Sequence, residues 1–111
     1  VIVQRGRAAG LKIFGATIVS SLGSATAHGT PEADAERQAI NAYIRSAGAF
    51  DGVVDFDLAT RDPHTGGLRA AFQPNSTTGG PGDRLHPNRA GYQAMGNAVD
   101  LGLFAPLFAR R

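Results

Sequence analysis

TPEADAERQAINAYIRSAGAFDGVVDFD, Thr30 to Asp57, is the stretch on which the fold turns. It opens with the chemistry of a helix start. Thr30 can cap, Pro31 suits the first helical position, and Glu32 complements the positive end of the helix dipole. Ile40, Tyr43, Ile44 and Ala47 then recur at i, i+3, i+4 and i+7, which predicts one apolar helical face. Gly48 is the expected stop. Gly52 to Asp57, GVVDFD, follows as a strand, with Val53, Val54 and Phe56 as its β-favouring residues.

Upstream, Leu11 to Ile18 (LKIFGATI) is almost continuously apolar, which predicts a strand covered on both faces. SSLGSATAHG, Ser20 to Gly29, joins it to the helix as a loop of small residues. Val1-Ile2-Val3 could open a strand. The RGRAAG that follows instead suits the last turn of a helix, with cationic Arg5 and Arg7 near its end and Gly10 just past it. The order is helix end, strand, loop, helix, strand. Strands alternating with helices imply a parallel sheet with right-handed crossovers.

Downstream, Ala59 to Gly82 reads as one long loop broken by Pro63, Pro74 and Pro81 and by two Gly-Gly pairs. Loops of this length in compact domains usually carry function or move. GDRLHPNRAGYQAM, Gly82 to Met95, follows it. Asn88 is a good cap for a helix that places Tyr92, Met95 and Val99 on one face, beside Ala94 and Ala98. Pro106 should end any helix in the apolar tail. In parallel sheets, sites lie beyond the carboxyl ends of the strands. Both loops leaving strands emerge there, and Asp83 and His86 directly follow the second.

A histidine can take and give a proton near neutral pH, and it needs an acceptor on one ring nitrogen to fix its tautomer. Asp83 supplies that acceptor if the turn lets its carboxylate reach back to the ring. Such a pair is the base and orienting group of a Ser-His-Asp triad. A turn aspartate beside a partly exposed histidine is the bland alternative. Asp55 and Asp57 read as loop-capping groups, and His28 and His64 as solvent-exposed loop residues. A metal site of Asp57, Asp83 and His86 has suitable donor types but no diagnostic spacing. TTGGPGDR lacks the Lys-Ser/Thr of a phosphate loop.

Composition narrows the classes. The 111 residues suffice for one domain with a modest core, and 42% hydrophobic with 18% charged residues is ordinary globular usage. Net charge is only +2, and the arginines form no dense run, which argues against a nucleic-acid partner. The chain has no cysteine, which excludes disulfides and thiolate chemistry. No apolar run reaches membrane-spanning length, and no signal peptide is visible. The chain begins at Val1 and its one methionine is Met95, so a processed product or a piece of a larger one is expected.

DRLHPNRAGYQAM resembles the D-x-x-H-P-N-x-x-G-Y-x-x-M block near the C-terminus of GDSL-type esterases, also called SGNH hydrolases. LKIFGATI with its Gly/Ser loop resembles that family's penultimate core strand and loop. Thr30 through GVVDFD and RDP resembles its helix, last strand and exit loop. The resemblance runs from about Gly10 to Leu103. It implies an α/β fold, the C-terminal part of a three-layer α/β/α sandwich around a parallel, flavodoxin-like sheet. Residues 1–111 would form a single partial domain of that kind. It also implies that His86 is the general base, that Asp83 orients it, and that neither a metal nor an organic cofactor is used. Implied substrates are carboxylic esters of small molecules, lipids or acylated sugars.

The family's G-D-S nucleophile segment is absent, and so is its G-x-N-D segment: Asn41, Asn75, Asn88 and Asn97 precede Ala, Ser, Arg and Ala. Ser20, Ser21 and Ser24 lie in the loop after the first strand, but a loop serine without a strained elbow or oxyanion donors is a poor nucleophile. The chain is therefore expected to be inactive alone, with the rest of the domain completing the triad. A non-catalytic binding or assembly module that keeps the fold is the alternative, and a separate chain supplying the N-terminal half is a third. Half a sheet leaves the first strand's outer edge open, which invites self-association. The compartment stays open, with secretion compatible.

Overall fold

The computed structural model describes residues 1–105. Pro106, expected above to end any helix in the apolar tail, lies outside them. Helix α1 (Ile2–Ala8) leads into strand β1 (Phe14–Ala16), helix α2 (Pro31–Arg45) and strand β2 (Gly52–Val54). Helix α3 (Phe56–Thr60) and helix α4 (Arg89–Asn97) follow, with single 3-10 turns at Ala27–Gly29, Ala70–Phe72 and Leu101–Phe104. The opening segment is thus a helix, with Arg5 and Arg7 in its last turn and Gly10 at φ +77 beyond it.

β1 and β2 pair in parallel, Phe14 opposite Gly52 and Ala16 opposite Val54. Among the described residues they form the one sheet, so the α/β order holds with a small parallel sheet. β1 is shorter than the eight residues its apolar run predicts, because side chains claim the backbone at both ends. Asp51 Oδ2 accepts the Ile13 amide at 2.8 Å. At the other end, the Asn41 side chain accepts from the Ile18 amide at 2.7 Å and donates to the Ile18 carbonyl at 2.9 Å. An amide group thereby takes the place of a further strand residue. β1 is also covered less than expected: Gly15 and Thr17 are buried, while Ala16 and Ile18 are exposed. It behaves as a half-buried strand of period two.

β2 stops at Val54, three residues before the expected end. Asp55 caps α3 instead, accepting from the Leu58 amide at 3.0 Å, so Phe56 and Asp57 are helical. The segment expected as one loop accordingly contains the end of α3, the 3-10 turn at Ala70–Phe72, and an antiparallel bridge between Arg61 and Leu68.

α2 starts as predicted, with Thr30 Oγ1 accepting from the Ala33 amide at 3.2 Å and Pro31 in the first turn. Its inward face differs from expectation. Ile40 and Tyr43 are 49% and 62% exposed, and Ala47 lies beyond the helix end. The buried positions are Asp34, Arg37, Asn41 and Ile44. Across the described residues four apolar side chains are buried (Ile44, Val54, Leu68 and Pro87) against eight polar ones, so polar bonding rather than apolar area fixes α2 on the sheet.

Arg37 is the centre of that bonding. Its guanidinium donates to Asp34 Oδ1 at 2.8 Å, to the Ile18 carbonyl at 2.9 Å and to Asp57 Oδ1 at 2.7 Å. Asp57, 2% exposed, also takes Arg45 at 2.9 Å and lies 3.4 Å from Arg61. Arg45 grips Asp55 through two nitrogens at 2.7 and 2.8 Å, and Thr17 Oγ1 donates to the same carboxylate at 2.9 Å. Mainly through the Arg45 bond, Asp55 is held down to about 2; partial burial opposes the shift and the Leu58 amide and Thr17 add to it. Burial pushes Asp34 upward, but bonds from Gln38 and Arg37 outweigh it and leave the group below its usual value. The network joins the carboxyl ends of both strands to α2 and α3.

Candidate active site

Gly82 brings the chain across the backbone of Gln73. A Cβ there would collide with the Gln73 carbonyl, and φ is +82, so only glycine fits. Asp83 follows and organises the turn with one carboxylate. Its Oδ1 accepts the Leu85 amide at 2.9 Å and the His86 amide at 2.8 Å. Its Oδ2 meets His86 Nδ1 at 2.6 Å. Arg84, between them, adopts φ 59, the left-handed conformation that folds the turn tightly enough for the ring to return to the carboxylate. The condition set by the sequence, that Asp83 reach back to His86, is met.

The electrostatics follow from these bonds. His86, then its own amide, then the Leu85 amide hold the Asp83 carboxyl well below the usual carboxylate range. An ionised carboxylate only accepts, so the shared proton sits on His86 Nδ1. In the neutral ring this leaves Nε2 with its lone pair, on a side chain 48% exposed. The arrangement can take a proton at Nε2 while Asp83 steadies the imidazolium.

The residues after His86 fasten this turn to the fold. Pro87 is buried. Asn88 Oδ1 caps α4 through the Gly91 amide at 3.1 Å. Its Nδ2 donates to the carbonyls of Ala71 at 3.0 Å and Pro74 at 2.9 Å, and its own amide donates to the Phe72 carbonyl at 2.8 Å. One asparagine therefore starts the helix and ties it to the preceding loop. Gly91 is buried where a Cβ would lie 2.6 Å from Pro87 Cβ and 3.1 Å from Phe72 Cβ. The His-Pro-Asn-x-x-Gly spacing is thus a packing requirement of the histidine's support. Tyr92, expected on the inner face of α4, is 51% exposed, while Met95 and Val99 are half-buried.

Other candidates resolve differently. Asp55 is a helix cap, and Asp57 is buried among arginines. Among the described residues no three His, Asp or Glu side chains converge as metal ligands, so Asp57 does not join Asp83 and His86 in one site. Ser20 Oγ accepts from the Leu22 amide and donates to Asp34 Oδ1 of α2 at 3.5 Å, Ser21 Oγ donates to the His28 carbonyl, and Ser24 Oγ bonds Thr26 Oγ1, so all three serve structural bonds. His28 and His64 are exposed. Sequence reasoning missed Arg37, Asn41 and Arg45, because an apolar-periodicity reading passes over polar residues. Asp34, Arg37, Asn41 and Ile44 do share one helical stripe, which was the available signal.

Two cavities flank the turn. One of about 450 Å³ includes Arg84, Gly23, Asp62 and Gln73; another of about 330 Å³ includes Leu85, Ile18 and Ile40. No helix among the described residues is long and apolar enough to cross a membrane.

Comparison with curated proteins finds no match. The model of the GDSL-like Lipase/Acylhydrolase family matches residues 1–94, starting earlier than the resemblance read from sequence and ending one residue before Met95. That match spans α1, both strands, the polar network and the Asp83–His86 turn, and with it the chain belongs to the GDSL-like Lipase/Acylhydrolase family of hydrolases.

Proposed function

We propose that this chain supplies the base and the orienting carboxylate of a serine ester hydrolase. In this reading the described βαβ unit is the C-terminal part of a three-layer α/β/α sandwich, and a segment outside these 111 residues carries the serine and the oxyanion donors. His86 Nε2 removes the proton from the serine hydroxyl as its oxygen attacks the ester carbonyl. The same proton then passes to the departing alcohol, leaving an acyl-enzyme that water, activated by the same nitrogen, hydrolyses. Asp83 keeps the ring in the tautomer that leaves Nε2 free. The observation that carries this reading is the 2.6 Å contact between Asp83 Oδ2 and His86 Nδ1 beside an exposed ring.

The experiment is a nitrogen NMR titration of the His86 ring in this chain. The neutral ring is expected as the Nδ1–H tautomer, and Asp83→Asn should abolish that preference. A neutral ring protonated at Nε2 in the parent chain would refute the base assignment, because that nitrogen could then take no proton. Alone, the chain should turn over no aryl acetate, since it brings a base without a nucleophile. Turnover that His86→Ala abolishes would overturn that expectation.

A further inference from the structure

The loop ahead of the Asp83–His86 turn carries a motif that the proton chemistry above does not use. NST, Asn75 to Thr77, has the Asn-x-Thr pattern of an acceptor for N-linked sugar, with no proline at its middle position. Asn41, Asn88 and Asn97 have Tyr, Ala and Val two residues on, so Asn75 is the one asparagine of the chain with the required hydroxyl. An acceptor must also present its amide and that hydroxyl at the surface, which only the folded loop decides.

The fold presents both. Pro74 anchors the loop by accepting from Asn88 Nδ2 at 2.9 Å. The Asn75 amide donates to the Gly80 carbonyl at 2.9 Å, and the Gly79 amide to the Ser76 carbonyl at 2.8 Å, which closes a tight turn. Asn75 takes φ 57, a left-handed conformation that asparagine tolerates better than most residues. Ser76 Oγ and Thr78 Oγ1 bond each other at 3.3 Å. The side chains of Asn75 and Thr77 enter no hydrogen bond among the described residues, and both residues are exposed. The turn thus spends the two hydroxyls that the motif does not need and leaves free the two groups that it does. A Cβ at Gly79 or Gly80 would meet nothing within 4 Å, so the space around the tip is open. Asn41 and Asn88, by contrast, are committed to the Ile18 backbone and to the start of α4.

We propose that Asn75 is the acceptor of one N-linked glycan when the chain passes through a compartment that holds an oligosaccharyltransferase. The donor is an oligosaccharide carried on a lipid pyrophosphate. Asn75 Nδ2 forms a bond to the anomeric carbon, and the bond from that carbon to the pyrophosphate oxygen breaks. The lipid pyrophosphate departs with the electron pair, and one amide proton passes to a base of the transferase. The inference does not rest on the hydrolase reading: the loop follows β2, whereas strands that complete the domain would extend the sheet from β1.

The test incubates the folded chain with a purified oligosaccharyltransferase and its lipid-linked oligosaccharide, beside a peptide of residues 71–80, and reads intact mass. Chain and peptide should each gain one oligosaccharide, and the chain should react to completion where the peptide does. A peptide-N-glycosidase should remove the glycan and leave aspartate at position 75. Asn75→Asp and Thr77→Ala should lose the modification entirely, while Thr77→Ser, which keeps a hydroxyl, should retain it. Neither side chain bonds another described residue, so thermal melts of these variants should match the parent. A folded chain left unmodified overturns the inference, whether or not the peptide reacts. So does a modification that survives Asn75→Asp or Thr77→Ala. The readout is mass and not turnover, so the His86 tautomer experiment stands or falls separately.

Discussion

Gly91→Ala, compared with Gly96→Ala in the same helix, isolates the packing that holds His86. Both substitutions exchange glycine for alanine in α4, and each alone should stabilise a helix by up to about 1 kcal/mol. At Gly96 a Cβ meets nothing within 4 Å. At Gly91 it would lie 2.6 Å from Pro87 Cβ, with Phe72 Cβ and Cγ at 3.1 and 3.3 Å. Pro87 is neither long nor flexible, and it is joined directly to His86, so relief of the clash must move the backbone that carries the ring. Overpacking of this kind costs about 1–3 kcal/mol; a 2.6 Å approach to a rigid ring belongs in the upper half, about 2–3 kcal/mol, and subtracting about 1 kcal/mol of helix gain leaves Gly91→Ala about 1–2 kcal/mol less stable than the parent. For a domain of this size that is a melting-temperature loss of roughly 5–10 °C. Gly96→Ala should instead gain about 0.5 kcal/mol, near the helix end where propensity counts for less. Thermal melts followed by circular dichroism give both values, and nitrogen NMR of His86 reports whether its Nδ1–H bond survives. A Gly91→Ala chain as stable as Gly96→Ala, with an unchanged His86 signal, would refute the claim that close approach at Gly91 supports the site.

The buried network gives two more expectations. Arg37→Met leaves Asp34 and Asp57 without their shared cation in a buried setting, and the loss should be about 3–5 kcal/mol, read from urea midpoints; a change under about 1 kcal/mol would show that Arg37 does not organise α2 on the sheet. Asp55 lies near 2 in the folded chain against an ordinary value of 3.8, so its stabilisation is complete above about pH 4 and fades as pH falls through about 2. Asp34 is shifted the same way. Melting temperature should therefore drop steeply between about pH 4 and 2, and Asp55→Asn, which keeps a capping side chain, should be less stable at neutral pH and lose less on acidification. Parallel pH curves for parent and variant would contradict the Arg45–Asp55 account.

Local chemistry made much of the molecule legible in advance. Thr30 and Asn88 cap because a short polar side chain reaches the third amide beyond it, and Pro31 needs no hydrogen bond where it stands; both helix starts follow from residue type alone. The same holds for the alternation of strands and helices, and for the contact between Asp83 and His86. Asp83 and His86 are three apart in one tight turn, so their meeting depends on a few adjacent dihedral angles and not on distant packing. What only the tertiary structure decided is whatever depends on partners remote in sequence. β1 ends early because Asn41, twenty-three residues on, takes the backbone of Ile18. β2 ends early because Asp55 is held by Thr17 and Arg45 and so serves α3. α2 turns Arg37 rather than Ile40 inward because Asp57 waits there, twenty residues away. An apolar pattern reports which side chains avoid water, but a buried charge is stable only beside its opposite, and that pairing exists only once the chain has folded.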